Sequence, residues 1–251
     1  MRDAGRAALI PYLTAGFPTA AASLEALQRV AAAGADLVEV GVPFSDPLAD
    51  GPTIQHSSEV ALAQGMTLAG VLELVRRAAL PVPVVLMTYI NPVFAYGAAR
   101  LLRDAAAAGV AGLLLTDVPA GADPALEQAV AASPLDLIRL VAPTTPPERL
   151  AQASGGGGGF VYLISRLGVT GARERLGADA EPLVRRIRKH SDLPLALGFG
   201  ISRPEQVAEV GRWADAAVVG SGLVNVIAEH GADPDVAAHA GAYVRWLKGQ
   251  A

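Results

Sequence analysis

Eight short apolar runs, bounded by glycine or proline and separated by stretches of helical periodicity, recur along this 251-residue chain and leave it few folds. They cover residues 8–14, 37–40, 82–87, 112–115, 135–140, 160–165, 195–198 and 216–219. Short continuous apolar runs of this kind read as strands buried on both faces. Helices are expected at 20–33, 68–79, 98–108, 124–132, 147–153, 181–190 and 204–212. Gly34 and Gly109 follow two of them as C′ residues, and Ser202 is expected to cap the helix that has Pro204 near its start. Strict alternation over this length predicts an α/β fold, a single (β/α)8 TIM barrel spanning 1–251, with a doubly wound open sheet as the competing topology. No Gly-x-Gly-x-x-Gly follows the first run, and no composition shift marks a second domain. The five glycines at 155–159 precede a strand rather than a helix, so they read as a flexible connector instead of a phosphate cradle.

Hydrophobic residues make up 52% of the chain, enough for a large core, and a net charge of −4 offers no footprint for nucleic acid or an anionic membrane. The ligand is therefore expected to be small. Zero cysteines exclude disulfides and thiol catalysis. The histidines at 56, 190, 230 and 239 are too scattered along the chain to suggest a metal cluster, so no metal is expected and surface or capping roles suit them. Residues 7–24 are uncharged and follow Arg2 and Arg6, which raises a signal peptide, but Pro11, Gly16 and Pro18 divide them into a strand, a loop and an amphipathic helix. Pro81, Pro83 and Pro92 likewise break the uncharged stretch 78–99. A soluble, cytoplasmic protein is expected.

In a barrel the active site lies where strands end and βα loops begin. Glu39 closes the second run, and Asp50 lies eleven residues on, in a loop (41–53) broken by Gly41, Pro43, Pro47 and Gly51. A carboxylate among Val and Leu side chains is costly to desolvate unless protonated, paired or hydrogen-bonded, and burial raises its pKa toward the range of proton transfer. The two acids form a candidate acid/base pair; an ordinary surface glutamate and a turn-forming aspartate are the alternative. A second long loop, 166–179, could act with the first as a lid. Small-residue turns at 168–171, 198–202 and 220–222 follow the last three runs, and a short helix is expected to begin at Ser221 or Gly222. Converging on one rim, their N–H groups and the helix dipole would suit a phosphate, although tight turns explain any one cluster alone.

Motifs in order over nearly the whole chain carry a resemblance. They are Leu9-Ile10-Pro11-Tyr12-Leu13-Thr14-Ala15-Gly16-Phe17-Pro18, the Glu39 to Asp50 segment, Met87-Thr88-Tyr89-Ile90-Asn91-Pro92, Thr116-Asp117-Val118-Pro119, Val161-Tyr162-Leu163-Ile164-Ser165-Arg166 and the three small-residue turns. Together they resemble the tryptophan synthase alpha chain family. The resemblance implies a lyase that splits indole-3-glycerol phosphate into indole and glyceraldehyde 3-phosphate and hands indole to a beta chain in an α2β2 complex. Pyridoxal phosphate then belongs to the partner, and this chain needs no cofactor. On that reading Glu39 shuttles the proton at indole C3 and the glycerol hydroxyl, while Asp50 faces the indole N–H. Tyr162 would line the same pocket, with core packing as its equal alternative. Tyr12, Met87 and Leu114 map to indole-contacting positions, although barrel filling would also explain them. Thr170 maps to a loop residue that contacts the Asp50 loop when the lid closes, while Gly171, Gly200, Gly220 and Ser221 belong to the small-residue turns read above as a phosphate seat.

The resemblance also implies that Phe44, Asp46 and Pro47 press on the beta chain. The family's usual N-terminal helix is expected to be shortened or absent, which bears on stability and on the true start codon rather than on chemistry. Competing readings are a stand-alone lyase that releases free indole and a catalytically idle subunit that activates a beta chain. A Schiff-base aldolase is disfavoured because the only lysines, Lys189 and Lys248, are at no strand end.

Overall fold

A computed structural model of the chain describes residues 6–164, 180–198 and 200–249. The apolar runs form strands β1 (Ala8–Thr14), β2 (Val38–Gly41), β3 (Val84–Thr88), β4 (Val110–Leu115), β5 (Asp136–Val141), β6 (Val161–Ile164), β7 (Leu195–Gly198) and β8 (Ala216–Val219). They pair in chain order into a closed barrel. Closure rests on the parallel β1–β8 ladder, Ala8 opposite Ala216 through Pro11 opposite Val219, which removes the open-sheet alternative.

Side chains alternate across each strand. Leu9, Leu13, Val38 and Val40 pack outward into the helix layer. Ala8, Ile10, Leu37, Val85, Leu114, Ile138, Phe160, Tyr162, Ala196, Ala216 and Val218 fill the barrel. Leu37 points inward, so Glu39, two residues further on, shares that face at the carboxyl end of β2. Full burial stabilises each large aliphatic side chain by about 1.5–3 kcal/mol, so the barrel tolerates an inward glutamate only at its rim.

The outer layer comprises α1 (Ala20–Ala32), α2 (Pro52–Ala63), α3 (Leu68–Ala78), α4 (Ile90–Tyr96), α5 (Ala98–Ala107), α6 (Pro124–Ala131), α7 (Leu150–Ser154), α8 (Ala180–Ile187), α9 (Pro204–Val210), α10 (Ser221–Glu229) and α11 (Val236–Leu247). Gly34 and Gly109 adopt positive φ after α1 and α5, as their positions require. Helices α2, α4 and α11 fall outside the stretches expected from periodicity. In α4, Pro92 sits in the first turn, where its missing N–H removes no helical bond, and Asp117 accepts a hydrogen bond from the Ile90 N–H. The cap of α9 also differs: Arg203, not Ser202, is the N-cap. Gln206 folds back so that its Oε1 accepts from the backbone N–H groups of Ser202 and Arg203.

The glycine run is not a flexible connector. Arg139 points outward from β5, is 7% exposed, and donates to both carboxylate oxygens of Glu127 and to the carbonyls of Gly155 and Gly156. The run wraps this guanidinium so closely that a Cβ on Gly157 would lie 2.6 Å from the Leu137 carbonyl oxygen, and one on Gly158 would strike the Asp136 carboxylate. Truncating Arg139 to Ala strands a carboxylate and frees two carbonyls. Urea unfolding of Arg139→Ala should show a loss of about 2–4 kcal/mol, reduced from the fully buried case because Glu127 retains some solvent; a loss below about 0.5 kcal/mol would mean the wrap is held by other contacts.

Candidate active site

At the carboxyl end of the barrel the inward faces of β1, β2, β3, β6 and β8 present Tyr12, Glu39, Met87, Tyr162 and Val218 around an open cavity, about 490 Å³ of empty space when the solvent at its mouth is included. Asp50 enters it from the β2–α2 loop, and Ile54, Gly200, Ile201, Gly220, Ser221 and Gly222 complete the lining. Two strand-end glycines make room for the tyrosines: a Cβ on Gly41 would collide with the Tyr12 ring and hydroxyl, and one on Gly198 with those of Tyr162. The Tyr12 hydroxyl pairs with Thr14 Oγ1 at 3.2 Å, and Thr14 Oγ1 with Ser57 Oγ at 2.6 Å, which fixes the ring at the rim.

Both acids are buried, Glu39 at 2% and Asp50 at 5% exposure. Glu39 Oε1 has no hydrogen-bond partner among the described residues. Desolvation first, and the nearby Asp50 charge second, push the Glu39 pKa up to about 8. Desolvation also raises Asp50, to about 6, against the opposing pull of a hydrogen bond from Tyr89. The Tyr89 hydroxyl donates to Asp50 Oδ2 at 2.9 Å and accepts from the Ala49 N–H at 3.1 Å. At neutral pH this pair holds one proton on Glu39 and a negative charge on Asp50. Environments that split two carboxyl groups in this way assign one as acid and the other as anion.

The rim after β7 and β8 is made of backbone. Helix α10 begins at Ser221 with Gly220 as its N-cap, so its first-turn N–H groups and dipole lie at the cavity wall. Gly222 must lack a side chain, because a Cβ there would lie 2.5 Å from the Tyr243 hydroxyl and 3.2 Å from Ser202 Cβ. Gln206 Nε2 donates to the Gly200 carbonyl and Tyr243 to that of Ser202, which clamps the β7–α9 loop in place. An anion such as a phosphate fits this seat.

Most residues expected at the site meet there, with three qualifications. Leu114 is fully buried within the barrel and is not among the residues lining the cavity. Thr170 and Gly171, with the rest of the long loop after β6, lie outside the described residues. Phe44 turns partly inward, its ring 5.0 Å from that of Tyr89, whereas Asp46 is exposed and Pro47 half-exposed. Sequence reasoning missed Tyr89, although it stands within a quoted motif, because nothing in a Thr-Tyr-Ile string says which way the hydroxyl points. Two histidines also need correction: the turn between α10 and α11 stacks the rings of His230 and His239 at 3.7 Å, so these two are not scattered.

The match to known proteins spans the whole barrel. Residues 1–247 fit the family model described as tryptophan synthase alpha chain. The chain belongs to the tryptophan synthase alpha chain family. Curated members include the tryptophan synthase alpha chains of Chloroflexus aggregans, 46% identical over 98% of this chain and 93% of that one, and Roseiflexus castenholzii, 46% identical over 99% and 96%. Among solved structures, Mycobacterium tuberculosis tryptophan synthase superposes with a TM-score of 0.90 at 39% identity, covering 99% of this chain and 94% of that one. A mutant tryptophan synthase alpha-subunit from Pyrococcus furiosus superposes with a TM-score of 0.88 at 37% identity, covering 98% of each chain. As a member of this family the chain is a lyase subunit of tryptophan biosynthesis: it cleaves indole-3-glycerol phosphate and passes indole to a beta chain. No single helix among the described residues is long and apolar enough to cross a membrane.

Proposed function

We propose that Glu39 and Asp50 divide the cleavage between them. Glu39, protonated at neutral pH, gives its proton to indole C3, and the Asp50 carboxylate accepts a hydrogen bond from the indole N–H as positive charge grows on the ring. The Glu39 carboxylate then takes the proton from the hydroxyl on the carbon attached to C3. That bond breaks, its electrons return to the ring, and the departing fragment becomes the aldehyde of glyceraldehyde 3-phosphate. Glu39 ends protonated, ready for another turn. The single observation behind this reading is the pair of buried carboxyl groups whose pKa values are pushed up to about 8 and about 6. The phosphate sits against Gly200, Gly220 and Ser221 at the start of α10, and Tyr12, Met87 and Tyr162 hold the indole. Indole release from indole-3-glycerol phosphate, measured with and without a beta chain, tests the assignment. Release by the chain alone that rises with the beta chain is expected, and no release in either condition would leave only the idle-activator reading.

Tyr89 keeps Asp50 ionised. In Tyr89→Phe a charge-assisted hydrogen bond is lost, and the Asp50 pKa should rise by about one unit. The acid limb of the rate profile should therefore move up, with a larger loss at pH 6 than at pH 8; an unmoved limb would separate Tyr89 from the charge of Asp50.

The chain needs no cofactor of its own on this reading; pyridoxal phosphate belongs to the beta chain, within an α2β2 complex. The phosphorylated substrate cannot cross a bilayer unaided, which supports a cytoplasmic location for the reaction. The β2–α2 loop faces the partner: Leu48 is 90% exposed beside Asp46, and Phe94 of α4 is 55% exposed. Phe44 and Pro47 shape the same loop, and the Phe44 contact with Tyr89 connects that surface to Asp50. Asp46→Ala should weaken mutual activation with the beta chain more than it weakens binding of glycerol phosphate to the isolated subunit. Equal losses in the two measurements would remove Asp46 from the signalling path.

A further inference from the structure

We infer that His230, Asp233 and His239 form a binding site for a divalent transition-metal ion of the zinc class, apart from the lyase cavity. The three residues come from the α10 C-cap, the following turn and the start of α11, and their ligand atoms all lie within 4.8 Å of one another. The imidazoles stack face to face, 3.7 Å apart and within 3° of parallel. Asp233 Oδ2 lies 3.0 Å from His239 Nε2, while its Oδ1 accepts from the Asp235 N–H at 2.8 Å. The Asp233 N–H in turn donates to the His230 carbonyl at 2.8 Å, so the backbone aims the carboxylate at the rings.

Two imidazole nitrogens and one carboxylate oxygen suit Zn²⁺, Ni²⁺ or Cu²⁺, whereas Mg²⁺ and Ca²⁺ want oxygen alone. Bonds of about 2.0–2.1 Å in a tetrahedron put donor atoms roughly 3.3 Å apart, so closing the separations by up to about 1.5 Å, with the rings splaying until their in-plane lone pairs converge, would complete the site. His239 and Asp233 side chains are each 38% exposed, which leaves access for the ion and for a water as fourth ligand. Binding here would tie α10 to α11. The other end of α10 carries Ser221 and Gly222 at the cavity wall, so the ion would fix the helix that forms the anion seat.

The test is calorimetric titration of the tag-free, metal-stripped chain with ZnCl2 and separately with NiCl2 at pH 7.5. One equivalent should bind. His230→Ala and His239→Ala should each weaken binding by about tenfold or more, and His190→Ala should leave it unchanged. The Tm should climb with zinc in the native chain and stay flat in the His230→Ala/His239→Ala double variant. Metal-free circular dichroism melts show whether each variant is folded, and His239→Gln replaces any that is not. No stoichiometric binding by the native chain, or equal affinity in the double variant, overturns the site.

Discussion

Glu39→Gln should lower kcat for indole release by about three orders of magnitude, the middle of the range for loss of a positioned acid/base group. Glutamine keeps the shape and fills the same space between Tyr12 and Val85 in the strand register. It can neither give a proton to C3 nor take one from the hydroxyl, so both halves of the reaction stop. Binding of glycerol phosphate should stay within a few fold, because the anion seat is built from other residues, at the start of α10 and in the turn after β7, and the variant only replaces a neutral acid with a neutral amide. Equilibrium binding beside single-turnover kinetics separates the two quantities. A kcat within tenfold of the native value would remove Glu39 from the mechanism.

Asp50→Asn should cost about 10²- to 10³-fold in kcat, the scale of losing one preorganised electrostatic partner in a water-poor site. It carries a second signature. The Asp50 charge is one of the two causes that raise Glu39, so neutralising it should move the Glu39 pKa below about 8, leaving desolvation alone to hold it up. The residual activity of Asp50→Asn should accordingly lose its basic limb at lower pH than the native enzyme. If the limb stays in place, the two carboxyl groups do not feel one another.

The barrel was readable because its strands are short, buried on both faces and punctuated by glycine and proline, a pattern few other elements share. Glu39 and Asp50 stood out for a related reason: an acid that ends a Val-rich strand must be explained. The residues that sequence reasoning missed act through directions that a string of letters does not carry. Tyr89 looks like any strand-end aromatic until its hydroxyl reaches Asp50 across 39 positions of chain. Arg139 passes unnoticed within its strand, and five glycines read as slack, yet each accounts for the other. Helix α2 was hidden by its buried serines, Ser57 and Ser58, which blur the apolar stripe. The His230–His239 stack depends on the angle between two helices, which spacing does not specify.

The measurement that bears most directly on the acid/base account is the pH dependence of kcat/KM for indole release between pH 5 and 10. Protonated Glu39 and ionised Asp50 are both required, so the rate should rise as Asp50 ionises near 6 and fall as Glu39 loses its proton near 8. The basic limb is the diagnostic one, since a phosphate monoester also titrates at about 6. A limb near 8 that moves down in Asp50→Asn is the predicted result; a rate that stays flat from pH 7 to beyond 9 would contradict a protonated Glu39 as the group that begins the reaction.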